Sequence, residues 1–134
     1  LRHTPCHFVD LLPTVIDLAS GGQTARLQGD PAAPPLPGKS LVPAFARDDA
    51  VTHEFLYFHH LDNRALRAGD WKLVAKGPDG PWELYDLRTD RCEQKNLADQ
   101  HPDKVRELSA LWQTCNDQFL RDAGIRGIRP PNPV

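Results

Sequence analysis

Apolar residues recur at helical spacing through HFVDLLPTVIDLAS (7–20), at Phe8, Leu11, Leu12, Val15, Ile16 and Ala19, until Gly21 and Gly22 end the run. Pro13 lacks an N–H and would clash deep inside a helix. The pattern therefore predicts a helix over 11–20 with Pro13 in its first turn and Asp10 as N-cap. A helix this short must dock on other structure. Residues 21–53 lose all periodicity, and Pro31, Pro34, Pro35 and Pro37 predict extended coil, pinned by Leu41, Val42 and Phe45.

From residue 54 the period shortens to two. EFLYFHH (54–60), RALRA (64–68), WKLVAK (71–76) and WELYDL (82–87) predict four strands, with turns at Gly69-Asp70 and at GPDGP (77–81). In the third strand Trp71, Leu73 and Ala75 share one face, and Lys72, Val74 and Lys76 the other. A polar, turn-rich stretch follows over 88–102, in which Asp86, Asp90 and Glu93 are expected to fix the turns. From Pro102, a good first helical residue, Val105, Leu108, Leu111, Trp112, Cys115 and Phe119 form one stripe. The expected fold is α+β: a four-stranded antiparallel sheet packed by the C-terminal amphipathic helix, with an N-terminal helix and a long Pro-rich loop. Two parts are expected, 1–53 and 54–134, with an irregular tail at the C-terminus.

Composition narrows the function. The net charge of −2 over 134 residues gives no electrostatic footprint for nucleic acid or an anionic membrane. No apolar run approaches the ~20 residues of a membrane span. Met is absent, and LRHTPCHFVD has neither the charged nor the apolar region of a secretory signal, so the chain is expected to be cut from something longer. Cys6, Cys92 and Cys115 form no C-x-x-C pair. They are either three buried or idle thiols or one disulfide with a free thiol.

Residue chemistry supplies no complete active site. His59, His60 and Asp62 could ligate a metal, but neighbours on a strand point to opposite faces and a fourth ligand is missing. Ser20, Ser40 and Ser109 stand in no nucleophile-elbow context. Arg64, Arg67, Lys72 and Lys76 make a modestly basic patch, with Trp71 or Trp82 for stacking, which suits a sugar or an anion and equally suits an ordinary charged sheet face.

NRALRAGDWKLV (63–74), PWELYDLRTDRCEQKNLA (81–98) and HPDKVRELSALW (101–112) together resemble the carboxy-terminal subdomain of sulfatases. VDLLPTVIDLAS (9–20) and PGKSLVPAF (37–45) look like the segments that precede it in arylsulfatase-type enzymes, members of the alkaline phosphatase superfamily. The resemblance runs in family order over about residues 7–120. It implies a parent that hydrolyses sulfate esters at calcium, through a formylglycine made from Cys or Ser in a Cys/Ser-x-Pro/Ala-x-Arg signature. None of CHFVD, CEQKN, CNDQF, SGGQT, SLVPA or SALWQ fits that signature. The chain by itself is thus expected to be inactive and to hold no cofactor. Its implied partners are an N-terminal sulfatase catalytic domain and, in the parent, a sulfated substrate; self-association of the isolated piece is also expected, and the resemblance points to a periplasmic or secreted parent.

His60, Asn63 and Arg64 match the His…Asn-Arg-Ala portion of the family pattern, with Leu61-Asp62 where relatives often carry Glu-Gly. The resemblance implies that His60 and Arg64 approach the substrate rim. Against this stands a bracing role, with Asn63 and Arg64 holding the turn and Arg64 paired to Asp62 or Asp70. Two other functions compete: an independent carbohydrate- or protein-binding module, and an accessory domain of a phosphodiester or phosphonate hydrolase of the same superfamily.

Overall fold

The computed structural model describes residues 3–22 and 36–124. The chain divides into two compact units, Leu1–His53 and Glu54–Val134.

In the first unit, helix α1 (Leu11–Ser20) follows a 3-10 turn, Phe8–Asp10, and Pro13 stands in its first turn. Asp10 is not its side-chain cap. The carboxylate turns inward instead and accepts from the backbone N–H of His7 (2.7 Å) and of Lys39 (2.8 Å). The His53 ring completes the clasp at 3.0 Å. Thr14 extends the polar seam, donating to the Asp10 carbonyl and accepting from the Leu41 N–H. Gly38 passes so close to Val9 that a Cβ would overlap its carbonyl, so this crossing admits only glycine.

The expectation of coil through 21–53 is corrected in part. A five-residue helix, α2 (Val42–Ala46), sits within it, with Pro43 in its first turn, where the missing N–H costs nothing. Ala44 is the residue it buries, and Phe45 is largely exposed. The prolines at 31, 34 and 35 and the C-terminal tail beyond 124 lie outside the described residues.

The second unit is a four-stranded antiparallel meander in the order β1-β2-β3-β4. Its strands are β1 (Leu56–His60), β2 (Asn63–Ala68), β3 (Trp71–Ala75) and β4 (Glu83–Asp86). The first strand starts two residues later than the alternation suggests. Helix α3 (Pro102–Asp122) packs on one face. Leu66, Leu73 and Leu84 from three neighbouring strands meet Leu108 and Trp112 of α3 in a fully buried cluster. Each such side chain stabilises by roughly 1.5–3 kcal/mol. Trp112 is the hub: it stacks on Tyr57 and its indole N–H donates to the Phe58 carbonyl at 3.1 Å.

The outer edge of β4 is also satisfied. The Leu84 N–H donates to Asn96 Oδ1 and its carbonyl accepts from the Leu97 N–H, so the 88–101 segment covers an edge that would otherwise invite pairing. Asp86 and Asp90 fix the turns there, accepting from the Arg88 N–H and from the Gln94 and Lys95 N–H groups. Glu93 pairs with Lys72 instead. The three thiols are free, Cys115 buried and Cys6 and Cys92 exposed, which fits the reading of buried or idle thiols and not the disulfide alternative.

Candidate functional site

The β1–β2 turn has two residues, Leu61 and Asp62, flanked by the His60–Asn63 pair. Both have positive φ, 47° and 65°, the left-handed values that a type I′ hairpin needs. Glycine or asparagine normally takes these positions; a leucine there is strained and, at 80% exposure, gains nothing from burial. The hairpin therefore holds His60 and Asn63 side by side at one end of the sheet, below a strained tip.

Strand alternation then separates the three residues singled out from the sequence. His60 and Asn63 project from the face opposite α3, while Arg64 turns to the helix face. Arg64 is only 7% exposed and lies 4.6 Å from the Trp82 ring centroid and 5.8 Å from that of Trp112. Its Nη2 donates to the Gly80 carbonyl at 2.9 Å, and its Nε is buried without a partner. Burial pulls its pKa below the ordinary arginine value, and Asp79 works against that shift. The expected partners Asp62 and Asp70 do not pair with it; aromatic faces and a loop carbonyl hold the guanidinium instead.

Arg64 and Asn63 both grip the β3–β4 loop. Asn63 Oδ1 accepts from the Gly77 N–H at 3.0 Å. Gly80 lies so tightly against Lys76 that a Cβ would overlap the Lys76 carbonyl, so the loop closes only around glycine. Lys76 directly follows Ala75, the end of β3, whose partner in β2 is Arg64. The sequence placed Lys76 in a basic patch with Arg64, Arg67 and Lys72. The structure breaks that patch apart: Arg64 is on the other face, Arg67 donates to the Gly69 carbonyl and Lys72 is paired with Glu93.

Two grooves flank this construction. One, of about 690 Å³, runs between the β3–β4 loop and the start of α3, with Arg64, Asp79, Trp82, Asp99 and Arg106 in its walls. The other, of about 560 Å³, is lined by His60, Asn63, Lys76, Phe58, Val74 and Glu83. The Tyr85 hydroxyl donates to Glu83 at 2.7 Å, which, with burial, pushes the tyrosine up to about 12 and keeps it a neutral donor. His59 faces the opposite way, against Trp112 and Tyr57, so the two adjacent histidines do not converge.

A two-unit α+β chain with this sheet, this helix and these braced turns has close counterparts. No protein-family model matches the sequence. An uncharacterized sulfatase of Schizosaccharomyces pombe is 34% identical over 110 residues, which cover 78% of this chain and 20% of that protein. Arylsulfatase K of Danio rerio is 31% identical over 125 residues, covering 84% of this chain and 22% of its own length. Among solved structures, a 2-O GAG sulfatase superposes with a TM-score of 0.56 at 28% identity, over 85% of this chain and 24% of that one. The chain belongs to the sulfatase family and corresponds to its carboxy-terminal subdomain. It spans about a fifth of the length of the curated relatives it matches.

Proposed function

We propose that this chain is the non-catalytic, cleft-shaping portion of a calcium-dependent sulfatase and that it stabilises the catalytic domain against which it packs. The observation that carries the reading is the outward apolar surface of the first unit: Phe8 is 85% exposed, and Leu11, Leu12, Val15, Leu18 and Phe45 are each more than half exposed. An apolar surface of this kind marks an interface. The family membership supplies its occupant, since the relatives are several times longer than the matched region.

In this reading the chemistry resides elsewhere. Among the described residues no three His, Cys, Asp or Glu side chains gather as a metal ion requires. Neither Cys6, Cys92 nor Cys115 opens a Cys-x-Pro/Ala-x-Arg sequence. In this reading calcium and the formylglycine nucleophile both belong to the catalytic domain. What this chain contributes is position. His60 and Asn63 stand at the substrate rim, and Arg64 braces the loop behind them, so that the leaving group is oriented and water is kept from one side of the cleft.

Turnover of an aryl sulfate with calcium, by the full-length protein and by these 134 residues alone, tests this. The expected result is turnover by the full-length protein, lost with a chelator, and none by the isolated chain. Turnover by the isolated chain would contradict the accessory role. Hydrolysis of a phosphodiester but not of any sulfate ester by the full-length protein would contradict the proposed sulfatase activity.

A further inference from the structure

The two edges of the sheet differ. On the β4 side Leu84 bonds to Asn96 and Leu97, which closes that edge. On the β1 side no further strand lies beyond Leu56–His60 among the described residues. The hairpin fixes which backbone groups face outward there. A two-residue type I′ turn is closed by a hydrogen-bonded pair, here His60 and Asn63, and bonded pairs then alternate with unbonded ones. Phe58–Ala65 and Leu56–Arg67 are therefore bonded, while Tyr57 and His59 turn their N–H and C=O groups away from β2. Among the described residues these outward groups have no backbone partner. The strand also lacks what normally guards an edge: it holds no Lys, Arg or Pro, and its unbroken register against β2 leaves no bulge. Its flank is apolar, because Phe119 of α3 is 44% exposed and lies against Tyr57, with ring centroids 5.1 Å apart.

We infer that β1 is the seam of a two-fold dimer, in which β1 of one copy pairs antiparallel with β1 of a second copy and the two four-stranded sheets join into one. The edge is complementary to itself. With the axis at Phe58, Tyr57 stands opposite His59 of the partner subunit, and every outward N–H and C=O meets its complement. This register uses all five residues of the strand. It sets His60 against Leu56 of the partner subunit, so no like charges meet across the seam. An axis at His59 instead would leave Leu56 and Tyr57 unpaired and bring two histidines together. The two-fold arrangement is closed: it consumes the free edge of both copies and leaves none for further addition. The inference concerns the second unit and does not depend on the activity proposed above.

The test uses the full-length protein. Sedimentation velocity at micromolar concentration is expected to show a dimer. The His59 N–H points away from β2, so His59→Pro removes a seam donor and spares the β1–β2 ladder. That variant is expected to sediment as a monomer with an unchanged circular dichroism spectrum. Phe58 falls on the axis as an unbonded pair with its own copy, its Cα atoms about 4.5 Å apart, within the reach of a disulfide. Phe58→Cys is therefore expected to link two chains through position 58 on mild oxidation, located by peptide mapping. A monomeric wild-type protein, a folded His59→Pro protein that is still dimeric, or a dimer that gives no link at position 58 would each overturn the inference. If proline unfolds the strand, the link at position 58 decides alone.

Discussion

The two units are stabilised by opposite means. The second, Glu54–Val134, is built on a dry cluster in which Leu66, Leu73, Leu84, Leu108 and Trp112 close between sheet and helix. The first, Leu1–His53, buries a carboxylate where a core would be expected: Asp10 is fully buried among two backbone N–H groups and the His53 ring, and the large apolar side chains of α1 point outward. A domain that must stand alone hides its leucines; one that is covered by something larger can secure itself with hydrogen bonds and present them. The contrast gives each unit its own weak point.

The largest effect should come from the core of the second unit. Trp112→Ala removes the hub of the cluster and its bond to the Phe58 carbonyl, and is expected to cost about 3–5 kcal/mol in chemical denaturation. A loss below 1 kcal/mol would mean that the sheet and helix do not share one core. Next comes the clasp. Asp10→Ala strands the donors of His7 and Lys39 and should destabilise the first unit by about 1–3 kcal/mol, read as faster proteolysis within 36–53, with the second unit untouched.

The clasp also carries a pH signature. Burial pushes the Asp10 carboxyl up, but the Lys39 and His7 amides and the His53 ring more than offset this and hold it below its ordinary value of 3.8. A depressed folded value means that the stabilisation is complete above the ordinary carboxyl range. It is lost as pH falls below 3.8 through the lowered folded value. Acid titration of protease resistance should show that loss in the wild type and a flattened profile in Asp10→Asn. The smallest effect is a gain. The double substitution Leu61→Asn, Asp62→Gly relieves two left-handed residues and should raise stability by about 1 kcal/mol in thermal melts. An unchanged or lowered melting temperature would show that the turn is not strained.

Much of this architecture is legible in the chain. The period-two runs, the Gly69-Asp70 turn and the Leu108–Trp112–Cys115 stripe each follow from local pattern, because in the second unit the strands and α3 bury one face in the same core. What could not be read depends on partners distant in sequence. Asp10 has the local signature of an N-cap, yet donors 29 and 43 residues away claim its carboxylate. The helix Val42–Ala46 is too short for a period to register and contains a proline. Arg64 reads as one of four basic residues on a surface, but alternation places it on the face of Leu66, where Trp82 and Trp112 make a bed for a guanidinium that sequence spacing does not reveal. At the β1–β2 hairpin, His60 and Asn63 were visible as motif residues, whereas the separation of Arg64 from them required the strand register.

The most direct test of the difference between the units is amide hydrogen exchange on the isolated chain and on the full-length protein, compared segment by segment. The account predicts that β1–β4 and α3 exchange slowly in both, while α1 exchanges quickly in the isolated chain and becomes protected in the full-length protein. Equal protection of α1 in both would contradict it, because the apolar face of the first unit would then have no larger domain covering it.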